Sequence, residues 1–489
     1  MSDLPPAWVL AAGSDVFDLV TSGSRGWAKY YSDEGDAFIR MGNLDHGTIS
    51  LDLREVQLVQ PPSGAEGERT QLQPNDILIS ITAELGMVGL VPPNLGKAYI
   101  NQHVALARPR AHNDPRFLAW YLASENDGKR KLREAQRGAT KVGLGLDDIR
   151  QVSIPLAPLN EQRRIVAKLD DLFARSRSAR EALNAIPPLL DRYRQSVLAA
   201  AFRGDLTEAW REQNPNLMAQ VNQAQGTRGR NRGLELESAR ALAELPSQWY
   251  WAAASQVAEV RLGRQRSPDK AQGSHMRPYM RAANVTWTGL SLEDVKTMNF
   301  EPHEADTFRL KEDDILLSEA SGSRKEVGKV ARWKNEVPDC CFQNTLIRAR
   351  PIGINPDFLF YYFMSEAVSG AFGAASRGIN LHHLGGETVT NWPVPVPPEE
   401  EQREIIRIVE SALLGIDRLS NEVGSARTRQ DRLDHAVLAK AFRGELVPQD
   451  PNDEPASTLL ERIKGQQAEA TVPKARRGRK PRELAEVTR

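Results

Sequence analysis

The sequence predicts an α+β chain built twice: two mixed α/β domains, each followed by a long coiled-coil helix, with the halves related by a pseudo-two-fold axis. Three observations carry this. Residues 160–206 and 400–446 are two copies of one helical segment set 240 positions apart. The first runs from Glu161-Gln162-Arg163 to Ala201-Phe202-Arg203-Gly204-Asp205-Leu206, the second from Glu401-Gln402-Arg403 to Ala441-Phe442-Arg443-Gly444-Glu445-Leu446. The domain preceding each copy shares its own markers, because Leu4-Pro5 and Trp8 return as Leu245-Pro246 and Trp249, and Asp76-Ile77-Leu78-Ile79-Ser80 as Asp314-Ile315-Leu316-Leu317-Ser318. Finally, both helical copies repeat apolar residues in alternating steps of four and three. A period this long is the size of a domain plus a helix, not of a solenoid unit.

Taken in order, residues 1–158 form the first domain. Asp76–Ile81 and Val104–Ala107 have β-type composition bounded by Pro, Asn and Gly. A helix is predicted from Pro115 to Leu122, with Phe117, Leu118, Tyr121 and Leu122 on one face. Residues 244–398 repeat the order: strands at Ile315–Ser318 and Thr345–Ala349, then a helix carrying Phe358, Leu359, Tyr362 and Phe363. Each domain exits through a proline-rich elbow, Ile154–Pro158 or Pro393–Pro398, where proline is expected to stop the strand.

Helical regions are expected over 159–212 and 399–446. Their seam positions are Ile165, Leu169, Leu172, Ser176, Ala179, Leu183, Ile186, Leu190, Tyr193 and Val197, then Ile405, Val409, Ala412, Ile416, Leu419, Val423, Ala426, Gln430, Leu433 and Val437. That is the heptad signature of a coiled coil. About 44 helical residues span roughly 66 Å. Pro187-Pro188 should kink or break the first helix. Residues 213–243, rich in Gln, Arg and Gly, read as a flexible linker. Residues 447–489 read as a tail, disordered and basic over 465–489, whose Arg477-Gly478-Arg479 has the composition of a minor-groove contact or of a solvated basic end.

Composition bounds the function. The 489 residues hold 64 Lys+Arg and 64 Asp+Glu, so any nucleic-acid face must arise from local patterning. Cys340 and Cys341 are the two cysteines, adjacent and poorly placed to pair, which suggests a reducing, cytoplasmic setting. No N-terminal signal pattern and no run of about 18 apolar residues occurs. Catalytic signatures fail in turn. Gly322 to Gly328-Lys329 and Gly89 to Gly96-Lys97 miss the phosphate-loop spacing, Gly143-x-Gly145 lacks a third glycine, and no Gly-x-Ser-x-Gly is present. The histidines show no metal-ligand spacing, and His382-His383 reads as a loop pair. The chain is expected to be non-catalytic.

Tandem domains, each opened by Leu-Pro-x2-Trp and closed by a Pro-x-Pro elbow, Glu-Gln-Arg and a helix ending Ala-Phe-Arg-Gly-Asp/Glu-Leu, resemble the DNA-specificity subunit of type I restriction–modification enzymes over nearly the whole chain. The resemblance implies that each domain is a target-recognition domain reading one half of a split, asymmetric DNA site, with the two helices paired antiparallel as a spacer. It implies two adenine-methylating subunits and two restriction/translocase subunits as partners. S-adenosylmethionine, ATP and Mg2+ would be used by those partners, leaving this chain without a cofactor. Polar and basic loops then supply candidate DNA contacts: Arg25, Lys29, Arg137, Thr140 and Lys141 in the first domain, and Arg264, Arg266, Ser323, Arg324, Lys325, Arg377 and Asn380 in the second. Trp120, Tyr121, Tyr361 and Tyr362 are read as core rather than as base-stacking groups. Glu161, Gln162, Arg163, Glu401, Gln402 and Arg403 are read either as partner contacts or as helix-start residues near a dipole. Two rival classes stand beside this one: a coiled-coil scaffold binding only proteins, against which the divergent basic loops argue, and an enzyme in its own right, against which the missing motifs argue.

Overall fold

A computed structural model describes residues 4–23, 25–61, 65–135, 143–215, 243–267, 271–378 and 381–471. The chain divides into two units, one made of Met1–Leu183 with Ser425–Arg489, the other of Asn184–Gly424.

In unit 1 the strands are β1 (Val9–Ala12), β2 (Phe17–Ser22), β3 (Tyr31–Ser32), β4 (Asp36–Ile39), β5 (Gln57–Val59), β6 (Ile77–Ser80), β7 (Val88–Leu90), β8 (Ala98–Ile100), β9 (Val104–Pro109) and β10 (Ser153–Leu156). One four-stranded sheet has the order β2-β9-β6-β7 and a second the order β3-β5-β4-β8. The β6 and β9 runs are continuous apolar stretches because both faces are covered: Ile77 and Ile79 face one core with helix α1 (Pro115–Ala123), Leu78 and Leu106 the other. Asp114 caps α1 by accepting from the backbone N–H groups of Arg116 and Phe117.

Unit 2 repeats this plan with β11 (Tyr250–Ala253), β12 (Ala258–Leu262), β13 (Met276–Met280), β14 (Lys296–Asn299), β15 (Ile315–Ser318), β16 (Val330–Arg332), β17 (Cys341–Phe342), β18 (Leu346–Pro351) and β19 (Pro393–Val396). Its larger sheet runs β12-β18-β15-β16, its smaller β14-β13-β17. Asn355 caps the helix over Pro356–Val368 as Asp114 caps α1. The long helices are α2 (Leu159–Arg203), α4 (Glu399–Phe442), with α3 as Pro356–Val368 between them, and α5 (Ala456–Thr471) follows.

Four expectations are corrected. The elbows are strands: β10 pairs antiparallel with β1, and β19 with β11, and proline is tolerated because each pair has only two strands. Helix α2 is continuous through Pro187-Pro188, so the break expected there as one alternative does not occur. The tail is ordered as far as α5, whose Ala456, Leu459 and Ile463 join the unit 1 core; residues 472–489 and most of the linker lie outside the described residues. The heptad seam is dry only in patches, since Ile416 and Val423 are buried but Leu419 between them is not. Ile165, Leu169, Ile405 and Val409 are buried, but Tyr193, Leu419 and Leu433 are 55 %, 51 % and 61 % exposed. A straight helix repeats every 3.6 residues, so a 3.5-residue stripe rotates away from its neighbour by about 20° per heptad. Polar contacts take over there. Within unit 1, Ser176 Oγ donates to Asp434 at 2.7 Å and Arg180 meets Asp431 at 2.9 Å; within unit 2, Arg194 meets Asp417 at 2.9 Å. In both units the numbering rises along one helix as it falls along the other, so the segments pair antiparallel.

Candidate nucleic-acid interface

The surface that each unit offers is set by the joint holding its domain to a helix. In unit 1 Trp8 Nε1 donates to Glu161 Oε2 at 3.0 Å, and Gln162 accepts from Asp114 N at 2.9 Å and donates to Ala157 O at 2.8 Å. Unit 2 has Trp249 Nε1 to Glu401 Oε2 at 2.9 Å, with Gln402 accepting from Asn355 N at 2.9 Å and donating to Pro397 O at 2.9 Å. All four Glu and Gln side chains are buried. The expectation that Glu161, Gln162, Glu401 and Gln402 offer themselves to a partner is therefore corrected: every polar atom named here is engaged within the chain. Of the six, Arg163 and Arg403 are exposed, and Arg403 is ion-paired to Glu399 one turn away.

Among the candidate DNA contacts of unit 1, Arg25 and Lys29 are exposed and flank a short turn, Trp27–Tyr30, entered through Gly26 at φ 72°. The turn has a rigid floor, since Trp27 is buried with its ring 5.7 Å from Phe38 and 5.5 Å from Tyr99. Lys29 Nζ lies 4.9 Å above the Tyr30 ring. Arg137, Thr140 and Lys141 lie outside the described residues, as does Asn380 in unit 2.

In unit 2 the structure separates residues that the sequence could not. Arg264 is interior: its guanidinium donates to Asn299 O at 2.8 Å and Glu304 at 3.0 Å and stacks 4.9 Å over Phe300. That commitment removes it from the DNA-contact set. Arg266, two residues on, is exposed and lines a cleft of about 260 Å³ with Arg281, Lys296, Thr297 and Gln343. Ser323, Arg324 and Lys325 are exposed on a one-turn helix over Arg324–Glu326. That turn is anchored from below: Trp287 Nε1 donates to Glu326 at 3.0 Å and Lys329 pairs with the same carboxylate, holding it below the usual range. Gly373 must be glycine here, because a Cβ would stand 2.4 Å from the Arg324 carbonyl oxygen. Arg377 is exposed, and its backbone exchanges hydrogen bonds with His383 at 3.0 and 2.8 Å. His382-His383 is thus a short strand rather than a loop pair. Among the described residues no group of three His, Cys, Asp or Glu is placed to hold a metal ion.

The aromatic candidates are structural. Trp120 stacks on Phe173 at 4.6 Å, Tyr121 Oη donates to Ser153 O at 2.6 Å, and Tyr362 Oη donates to Pro393 O. Tyr361 is half-buried and donates to Glu410 at 3.3 Å. Burial pushes the Cys340 and Cys341 thiols up to about 12 and about 11, so neither is a ready nucleophile. Sequence reasoning missed Arg281, Lys296 and Gln343. The available signal was the recurrence of Arg and Asn at Arg40/Asn43 and Arg281/Asn284.

Comparison with known proteins agrees with this geometry. The family model described as type I restriction modification DNA specificity domain matches residues 15–187 and 246–422. The EcoKI specificity subunit of Escherichia coli K12 is 27 % identical over 97 % of this chain and 98 % of its own length, and the EcoDI specificity subunit of E. coli is 31 % identical over 74 % of this chain and 78 % of its own. In fold, the chain superposes on the HsdS subunit from Thermoanaerobacter tengcongensis with a TM-score of 0.55 at 20 % identity, covering 91 % of this chain and 98 % of that one. A structure described under complex assembly and conformational transition of the type I R-M system gives 0.64 at 20 % identity, over 91 % and 100 %. No helix among the described residues is long and apolar enough to cross a membrane. The chain therefore belongs to the type I restriction–modification DNA-specificity family, as a non-catalytic subunit whose work is DNA sequence recognition.

Proposed function

We propose that this subunit reads a bipartite, asymmetric DNA sequence, one half-site through residues 1–158 and the other through 244–398, and thereby directs adenine methylation or restriction by partner subunits in the cytoplasm. The observation that carries this is one topology used twice with different exposed side chains. The larger sheets have the same strand order in each unit, while the exposed groups are Arg25 and Lys29 in one and Arg266, Ser323, Arg324, Lys325 and Arg377 in the other. A shared scaffold with unlike surfaces suits two unlike half-sites, related by the pseudo-two-fold axis that the repeat implies. The long helices, antiparallel within each unit, would set the gap between half-sites, which for two modules on one face is about one helical turn, ~34 Å.

Two methylating subunits and two restriction/translocase subunits would complete the assembly and use S-adenosylmethionine, ATP and Mg2+. Exchanging residues 1–158 for the corresponding domain of another specificity subunit tests the modular reading. Methylome sequencing should show one half-site changed and the other retained. A change in both half-sites together would refute it.

A further inference from the structure

Arg40 and Arg281 occupy the same place in the two repeats. Each leaves the strand, β4 or β13, that pairs in parallel with β8 or β17. Each has its backbone N–H held by an asparagine three residues on: Arg40 N donates to Asn43 Oδ1 at 2.9 Å, Arg281 N to Asn284 Oδ1 at 3.1 Å. The buried asparagines donate in turn to two loop carbonyls, those of Asp52 and Glu55 in unit 1 and of Ser291 and Asp294 in unit 2. The turn is thus pinned on both sides and the direction of the arginine is fixed by its backbone.

The guanidiniums are not spent on that turn. Arg40 meets no carboxylate among the described residues, and Arg281 meets Asp294, at 2.6 Å, whose side chain is 58 % exposed. An ion pair whose carboxylate is this open to water is held weakly, so the guanidinium can exchange it for another anion. In unit 2 the neighbours of Arg281 in the cleft are Arg266, Lys296, Thr297 and Gln343. Asp294 is shared, since Lys296 Nζ lies 2.7 Å from its other carboxylate oxygen, so Arg266, Arg281 and Lys296 face one nearby carboxylate, with the Gln343 amide and the Thr297 hydroxyl in the same cleft.

Resting on the reading of the domains as DNA-recognition modules, we propose that Arg40 and Arg281 are equivalent anchors, each holding a DNA phosphate, while Lys296 and Gln343 read base edges of the second half-site. The repeat itself separates the two roles. A phosphate contact carries no sequence information and can be kept in both domains, whereas base contacts must differ if the half-sites differ. The arginine is kept, but Lys296 answers to Gln57 and Gln343 to Asn101 in the matching strands and loop.

The test uses the full chain assembled with its methylating partners, a duplex carrying the methylated sequence, and a scrambled duplex. Arg40→Ala and Arg281→Ala should each weaken binding to both duplexes by the same factor, about tenfold at low salt, and lower the salt slope by about one. The methylated sequence should stay unchanged. Arg281→Lys should recover the slope, which a folding defect would not. Gln343→Ala should relax the second half-site alone. Unchanged affinity and slope in Arg281→Ala, or an altered methylated sequence, would overturn the anchor role. A native complex that binds both duplexes equally would instead sink the recognition reading, and the slope would still report whether Arg281 meets a phosphate.

Discussion

Two matching places in the units show one fold held by different forces. In unit 1 Leu19 and Leu106 pack in the small core beneath β2 and β9. At the same sheet positions unit 2 has Glu259 and Arg348. Arg348 is 1 % exposed, pairs with Glu259 at 2.7 Å, donates to Thr307 O at 3.3 Å and stacks 5.4 Å from the Phe342 ring. Burial lowers the Arg348 pKa; burial also raises that of Glu259, but the guanidiniums of Arg348, Arg261 and Arg350 outweigh it and hold the carboxyl low. The joints differ in the same direction. Glu161 accepts from Trp8 and Gln449, both neutral, whereas Glu401 accepts from Trp249, from Thr207 at 2.7 Å and from Arg211 at 2.6 Å. The topology fixes where a partner must stand, and apolar contact, neutral hydrogen bond or ion pair can each satisfy it.

The largest expected effect breaks the first of these contrasts. Arg348→Ala removes a fully buried side chain, leaves a cavity and takes from Glu259 one of its three guanidinium neighbours, which should cost unit 2 about 3–5 kcal/mol. The double change Glu259→Leu with Arg348→Leu copies the unit 1 solution and should recover most of that loss, since apolar replacement of a buried pair is often neutral. Hydrogen exchange resolved by unit is the measurement, because a single melting temperature would mix two cooperative blocks. A double variant no better than Arg348→Ala would show that the two units are not interchangeable at this position.

The joints should differ next. Glu401→Gln leaves Arg211 beside a neutral group and should cost about 2 kcal/mol, while Glu161→Gln should cost under about 1 kcal/mol at neutral pH. Acid should narrow the difference. Burial raises the Glu161 pKa in the folded chain above the ordinary glutamate value of 4.5. Its folded form then binds a proton more tightly than its unfolded form. The native chain therefore gains stability as pH falls through the folded pKa toward 4.5, and loses that gain as pH rises again. Glu161→Gln has no such proton to bind. The gap between native and variant protection in unit 1 should shift in favour of the native chain between neutral pH and about 5; a gap independent of pH would contradict the burial argument.

Much of this was legible in the sequence. The repeat, the strands at Ile77–Ser80 and Ile315–Ser318 and both capped helices followed from pattern, because those signals are local. What failed was long-range. Glu161 looked like a surface helix-start residue because its partner Trp8 is 153 residues away, although the joint recurrence of Leu-Pro-x2-Trp and Glu-Gln-Arg hinted that the two touch. Arg264 and Arg266 are alike in sequence, and only the fold sends one inward. Helix α5 was hidden by the basic end that follows it, although Leu459, Leu460 and Ile463 already showed helical spacing.

The smallest predicted effect lies where the two long helices differ in sequence. Pro187 has no N–H, so the Leu183 carbonyl, four residues earlier, lacks its helical donor. Arg427 Nη2 fills that place at 3.3 Å, and Arg427 stands 240 positions after Pro187, where the second copy of the repeat matches it. Each helix thus carries one half of a repair: a proline that frees a carbonyl and an arginine that caps it. Arg427→Ala should cost about 1 kcal/mol of local stability. In a Pro187→Ala background the restored N–H satisfies Leu183, and the same Arg427 change should cost almost nothing. A double-mutant cycle read by hydrogen exchange around residues 183–190 should give a coupling of about 1 kcal/mol between Pro187 and Arg427. Equal costs in both backgrounds would mean that Arg427 acts through something other than the orphaned carbonyl, and that the unbroken course of α2 through its two prolines needs another cause.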